Sequence, residues 1–275
     1  MKTLTKVLQI LDWIVHVARP VTLGEVAVAL DLSMATAFRT LHSLEEHRLL
    51  SLDPETKTYR PGLGLWSLAC LAIDRQGVLA TVRPVLQGLV DETGESASYA
   101  MYDHGEIVYL DKVDSPRPVA AILKLGERAP AHCVSTGKVI LAYLEGEALN
   151  VAIRESLARH KSPKYADEAA LRAHLAIVRK KGYAINWGEY RNDIAGVAAP
   201  VMNHDHWVRT SIGISGPSNR LSPKTLDSYA QIVTRAANAL SRQLGAVAPP
   251  LMSARSASTR ANLPKPERHH VRGTP

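Results

Sequence analysis

The feature that most constrains the fold is a pair of short helical patterns separated by only three residues. Leu23, Val26, Ala27 and Leu30 recur at helical spacing, and so do Ala37, Phe38, Leu41 and Leu44. Between them lies Asp31-Leu32-Ser33. So short a turn makes two amphipathic helices cross against each other, and it defines the helix-turn-helix motif. Each helix carries its own start signal. Thr22 followed by Glu25 is a capping box, and Ser33 is placed to cap the second helix. Upstream, Val7, Ile10, Leu11, Ile14 and Val15 form another helical stripe, closed by Val17 and Ala18 and stopped by Pro20. Downstream, Leu49 to Leu52 and Thr58 to Arg60 flank the polar turn Asp53-Pro54-Glu55-Thr56-Lys57. Two β runs around such a turn predict a hairpin. Three helices and a small hairpin over residues 1–61 make the winged helix-turn-helix pattern.

In that pattern the start of the second helix of the pair meets base edges in the major groove of DNA. The candidate contacts are Ser33, Met34, Thr36, Arg39, Thr40 and Ser43, with Lys57 at the hairpin tip. Arg39 has the geometry to pair with guanine or bind phosphate, and Thr36 to touch a thymine methyl or a phosphate. Bulk charge does not single this segment out. The chain carries a formal net charge of +7. Its first sixty residues, however, hold seven Lys/Arg and seven Asp/Glu. Any affinity for DNA therefore rests on where the charges sit.

The remainder reads as a second, mixed domain. Residues 62–76 predict a helix that is apolar around most of its circumference, from Leu63 through Trp66 and Leu68 to Ile73. Such a helix is expected to be buried, and its position between two domains suits a linker and dimer contact. A helix follows from Val78 to Thr93. Strands are expected at 96–102, 107–113, 119–125, 183–187, 196–202 and 207–215. Helices are expected over 137–144, 146–160, 167–181 and 223–244. Hairpins flanking central helices predict an α+β domain with a curved antiparallel sheet over residues 77–247. Residues 248–275, rich in Pro, Ser and Arg, read as a disordered basic tail. The longest uncharged run, Pro61 to Ile73, is too short to span a membrane. With two cysteines and no secretory pattern, a reduced cytoplasmic protein is expected.

Residues 4–245 resemble the IclR family of bacterial transcriptional regulators. Leu4-Thr5-Lys6-Val7-Leu8-Gln9-Ile10-Leu11, Leu23-Gly24-Glu25-Val26-Ala27 and Leu32 to Leu41 are similar to the family's three DNA-binding helices. Tyr59-Arg60-Pro61-Gly62 is similar to the close of its wing. Further along, Gly126-Glu127-Arg128-Ala129-Pro130-Ala131-His132 resembles "G-x-R-x-P-L-H", and Gly137-Lys138-Val139-Ile140-Leu141-Ala142 resembles "G-K-A-L-L-A". Gly182-Tyr183, Glu189, Gly196 to Val201, Ser211 to Pro217 and Arg220-Leu221 match its later motifs in order. The resemblance implies a winged helix-turn-helix joined to a GAF-like effector domain. It implies binding to palindromic double-stranded operator DNA as a homodimer or tetramer, controlled by a small organic effector, often an organic acid or aromatic compound. It also implies no catalytic activity and no cofactor.

The resemblance places the effector site on His132, Ser135, Thr136, Gly137, Asn186, Gly196, Gly213 and Ser215. Several of these depart from the family pattern. Asn186 stands where the family has an acid, Gly196 where it has Cys, and Gly213 where it has Ser, so the ligand chemistry is expected to differ. At the recognition helix, Met34 and Ala35 replace the family's Lys and Ser.

Two other functions were weighed. A metabolite-processing enzyme needs a convergent acid, base or nucleophile set, which this segment lacks. The departures at Asn186, Gly196 and Gly213 also suit a DNA-binding protein whose second domain only oligomerises. Sharper local motifs are weak. His132-Cys133 on a strand would point to opposite faces. His204-Asp205-His206 lacks a third metal ligand and suits a turn. Gly137-Lys138 lacks the spacing of a phosphate-binding loop, although a helix start there attracts anions.

Overall fold

The computed structural model describes residues 2–73, 77–160, 165, 167–203 and 208–246. The expected tail, the last residues of the linker helix and His204-Asp205-His206 lie outside them.

The chain opens with helix α1 (Lys2–Val17) and a two-residue strand β1 (Val21–Thr22). Helices α2 (Leu23–Ala29) and α3 (Met34–Glu46) follow. The capping box at Thr22 is formed in full. Thr22 Oγ1 accepts from the Glu25 amide at 3.3 Å, and the Glu25 carboxylate accepts from the Thr22 amide at 2.7 Å. The Thr22 amide and the Arg19 guanidinium hold that carboxyl down to about 2. Ser33 Oγ caps α3 through the Thr36 amide. The hairpin pairs β2 (Leu50–Leu52) with β3 (Thr58–Pro61), and β1 adds a third antiparallel strand on the far side of β3. Two residues are too few to show an alternating pattern, which is why β1 is not legible beforehand. Asp53 Oδ1 closes the wing turn by accepting from the amides of Glu55 and Thr56. Ile10, Ile14, Val26, Ala37, Leu41 and Leu50 form the core of this domain.

Phe38 departs from expectation. It lies 52% exposed, whereas Ala37, Leu41 and Leu44 face inward. Those three alone complete the α3 contact at a spacing of four and three residues, and Phe38 falls about 100° away.

Helix α4 (Leu63–Ile73) is also more open than its composition predicts. Leu63, Trp66, Leu68 and Leu71 are 83, 68, 59 and 69% exposed. A single copy of the chain supplies too little surface to cover a helix that is apolar all round.

The second domain is one six-stranded antiparallel sheet, ordered β6-β5-β4-β9-β8-β7. These strands are β4 (Ser96–Asp103), β5 (Glu106–Val113), β6 (Arg128–Pro130), β7 (Ala184–Trp187), β8 (Ile194–Met202) and β9 (Val208–Pro217). Side chains alternate between faces. Ala97, Tyr99, Val197, Ala199, Ile212 and Ile214 pack against α5 (Val78–Thr93) and α9 (Pro223–Gln243). On the other face Ala100, Ile107 and Ala198 pack with α6 (Ser135–Leu141), α7 (Gly146–Arg159) and α8 (Glu168–Lys181).

The strand expected over 119–125 does not form. Residues 114–127 instead run as an irregular strap between β5 and β6. Pro116 and Pro118 deny a ladder to its first part, and side chains hold the rest in place. Ser96 Oγ donates to the Ala121 carbonyl, and Arg220 donates to that of Val119. The fully buried Glu95 carboxylate takes both Arg117 and Arg220 at 2.6–2.8 Å.

Gly137 makes a backbone contact that no other residue allows. A Cβ there would lie 2.2 Å from the Ala131 carbonyl oxygen. Gly137→Ala is expected to cost about 1–3 kcal/mol through overpacking. Gly88→Ala, in open space on α5, is expected to gain about 0.5–1 kcal/mol. Thermal unfolding of the two variants checks the contrast.

Candidate functional site

Helix α3 presents two parallel exposed stripes. Met34, Phe38 and His42 recur at a spacing of four, and beside them run Ala35, Arg39 and Ser43. The Phe38 and His42 rings stack, with centroids 6.0 Å apart and planes 12° from parallel. The remaining predicted contacts behave differently. Ser33 and Thr36 hydroxyls bond each other at 2.9 Å in the helix cap. Thr40 Oγ1 donates back to the Thr36 carbonyl. Lys57 is exposed at the wing turn, with φ of 54°. The exposed face of α3 is therefore Met34, Ala35, Phe38, Arg39, His42 and Ser43. The period-3.6 pattern places Phe38 with the core residues, whereas the structure places it on this face.

In the second domain, six of the expected effector residues meet around one cavity. Ser135 and Thr136 enter from the start of α6, Asn186 from β7, Gly196 from β8, and Gly213 and Ser215 from β9. The register explains this convergence. Asn186 pairs with Gly196, Gly196 with Ser215, and Ser98 with Gly213. The strap roofs the cavity with Ala121, Ile122 and Leu123. Tyr109 and Tyr190 add phenols, and Glu127 and Arg191 close one side as a 2.6 Å ion pair. None of these last four, nor Ser98, was singled out in advance. Glu127 and Arg191 are 64 residues apart, and only the strap brings them together.

The cavity holds about 50 Å³. Its polar lining is rich in donors. Asn186 Oδ1 accepts from the Glu189 amide at 3.1 Å, which leaves the Asn186 amino group to donate. The Ser215 and Thr136 hydroxyl oxygens are buried and make no hydrogen bond of acceptable geometry. The Tyr109 phenol is buried, which pushes its pKa up to about 12 against a smaller opposing pull from Thr136. Gly196 and Gly213 have no room for side chains. A Cβ would lie 2.5 Å from the Ile214 carbonyl oxygen at Gly196, and 2.7 Å from that of Val197 at Gly213. The cavity floor is therefore bare backbone.

His132 and Gly137 do not line this cavity. Gly137 packs on Ala131, as above. His132 is fully buried in a single 3₁₀ turn, Ala131–Cys133, with Nδ1 2.7 Å from Ser156 Oγ and Nε2 3.2 Å from Cys133 Sγ. The turn, unlike a strand, lets the two neighbours touch, but both are sealed from solvent. Lys138 is likewise interior. Its ammonium donates to both Glu189 carboxylate oxygens at 2.8 and 2.7 Å and to the Ile185 carbonyl at 2.6 Å. It is committed to the protein interior rather than to a bound phosphate.

A helix-turn-helix presenting an exposed face, joined to a sheet domain with a partly enclosed cavity lined by apolar and polar groups, defines a DNA-binding regulator. Residues 3–54 match the family model described as the IclR helix-turn-helix domain, and residues 70–242 match the bacterial transcriptional regulator IclR C-terminal model. The chain belongs to the IclR family of bacterial transcriptional regulators. It is 27% identical over 245 residues to the HTH-type transcriptional regulator XynR of Escherichia coli, covering 89% of this chain and 97% of that protein. It is 28% identical over 241 residues to BhcR of Paracoccus denitrificans, covering 87 and 86%. The crystal structure of Thermotoga maritima IclR superposes with a TM-score of 0.73 at 26% identity, covering 89% of this chain and 99% of that one. The relatives are regulators and repressors, and the chain is a transcriptional regulator rather than an enzyme. Among the described residues, no helix is long and apolar enough to cross a membrane.

Burial, with the neighbouring His160 adding to it, pushes His132 down to about 4. Near pH 7 the imidazole is neutral whether the chain is folded or unfolded. Below about 6.5 the unfolded chain takes up a proton that the folded chain refuses until about 4, so stability falls as pH falls through that window. The full loss is roughly 3 kcal/mol at 1.36 kcal/mol per pKa unit. Urea unfolding from pH 7 to 4.5 is expected to show this slope, and His132→Asn to flatten it.

Proposed function

We propose that this regulator binds palindromic operator DNA as a homodimer or tetramer in the cytoplasm and releases or rearranges on it when a small organic acid or aromatic effector enters the second domain. In this reading residues 1–61 bind DNA, 62–76 link, and 77–247 bind effector and oligomerise. The observation that carries it is the roofed cavity with a buried, unpartnered Ser215 hydroxyl. A buried polar group without a partner costs about 1–3 kcal/mol, and a ligand oxygen relieves that cost. The Asn186 amide and Arg191 suit an acceptor such as a carboxylate. A structure of an IclR homologue from Microbacterium hydrocarbonoxydans, 21% identical with a TM-score of 0.75, holds 4-hydroxybenzoate. That precedent supports a ligand of this chemical kind.

The route to DNA runs through the strap. Its Leu125, with Tyr109 and Val108 of β5, lines an open groove against Trp66, Ala69 and Leu71 of α4. Tyr109 thus borders both the cavity and the linker helix. A ligand larger than the cavity shifts the strap, and with it the seat of α4. The exposed apolar side of α4 is the surface a second copy would cover. Only a difference in ligand affinity between two arrangements of the dimer moves the equilibrium, and half-site spacing converts that movement into operator affinity.

A thermal-shift screen against organic acids and aromatic carboxylates tests the cavity. Ligand at 100-fold over its dissociation constant is expected to add about 2.7 kcal/mol and to change operator affinity. No stabilisation across such a set would favour a domain that only oligomerises. Arg39→Ala is expected to weaken operator binding by about 1–3 kcal/mol, and unchanged affinity in a gel-shift titration would move the recognition surface elsewhere.

A further inference from the structure

The exposed stripe on α3 does not look like a surface built only for polar readout. Met34 and Phe38 are 54 and 52% exposed, on adjacent turns of the helix that a helix-turn-helix inserts into the major groove. Phe38 is the single phenylalanine of the chain. The folded core does not need it, because Ala37, Leu41 and Leu44 already fill the inward side of α3. The polar candidates beside it are occupied, with Ser33, Thr36 and Thr40 bonded within the helix. Arg39 is the one Lys or Arg within α3.

At the far end of the stripe, His42 lies 3.5 Å from Glu45 and 3.8 Å from Glu46. Those carboxylates repel phosphate, so the DNA-facing part of the stripe is its first two turns. There the helix offers one cation and an apolar patch. The only apolar group that a base pair displays in the major groove is the thymine 5-methyl. Met34 and Phe38 sit one turn apart, about 6 Å, which spans about two base steps.

We infer that Phe38, with Met34, is a specificity determinant that packs on thymine 5-methyl groups, one or two per operator half-site and within about two base pairs of each other. Arg39 on the neighbouring stripe supplies the polar contact beside them. The inference rests on the DNA-binding function of this domain and adds which chemical group of the base it reads.

The test uses the full-length protein and duplexes selected with it from a random library. In the tightest duplex each thymine is replaced in turn by deoxyuridine, which removes only the methyl group. Affinity is then read by fluorescence anisotropy at fixed salt. One or two positions per half-site are expected to lose about three- to five-fold, the effect of one buried methyl. Phe38→Ala is expected to bring the thymine-to-uracil ratio at one of those positions to about one, and Met34→Ala at the other. Arg39→Ala should lower affinity for both duplexes in step and keep the ratio. Circular dichroism confirms that the variants fold, as expected for exposed side chains, and Phe38→Leu should keep part of the discrimination. Equal affinity for thymine and uracil at every position overturns the inference while leaving DNA binding intact, as does discrimination that survives Phe38→Ala undiminished at every position. A wild-type protein that enriches no duplex removes the DNA-binding reading and the inference together.

Discussion

The second domain is organised around one buried ion pair. Lys138 is fully buried, and its ammonium is held by Glu189, by the Ile185 carbonyl and, at 3.4 Å, by the Tyr165 hydroxyl. Removing one partner of a buried pair leaves the other charge stranded, at a cost typically of about 3–5 kcal/mol. The pair therefore acts as a clamp. It fixes α6, which carries Ser135 and Thr136, to β7, which carries Asn186, and to the turn after it, which carries Tyr190 and Arg191. Asn186 in turn is set by its bond to the Glu189 amide. The two walls of the cavity are thus one rigid unit, while the roof is a strap tied down at separate points.

That division shapes what the protein can do. The floor is rigid because Gly196 and Gly213 bring β8 and β9 into contact closer than any side chain permits. The walls are rigid through the Lys138–Glu189 clamp. The strap is held by side-chain bonds from Ser96, Arg117 and Arg220 rather than by a strand ladder. Its outer edge lines a groove with the linker helix.

Much of this was legible in the residues. The capping box at Thr22 and Glu25, the three-residue turn before α3 and the wing turn at Asp53 are local signals, and each formed as its spacing predicts. The convergence of Ser135, Thr136, Asn186, Gly196, Gly213 and Ser215 followed from family resemblance and was realised through strand register. What failed did so for physical reasons. Phe38 was counted as core because its neighbours are apolar, yet three smaller contacts already satisfied the helix. Residues 119–125 read as a strand by composition, but side chains from Ser96 and Arg220 take the Ala121 and Val119 carbonyls in place of a neighbouring strand. His132 and Gly137 stand beside cavity residues in sequence, but His132 packs on Ser156 and Gly137 on Ala131, away from the cavity.

The sequence by itself determined the elements and their order, because caps, turns and apolar periodicity act within a few residues. It also determined the class of protein, through motifs spread along most of the chain. Only the tertiary structure decided which charges are spent inside and which side chains are left free. Lys138 and Arg39 look alike as cations in a helix. Packing buries one against a carboxylate 51 positions away and leaves the other on the surface. That outcome depends on contacts between distant segments, and helix and strand periodicity carry no information about those.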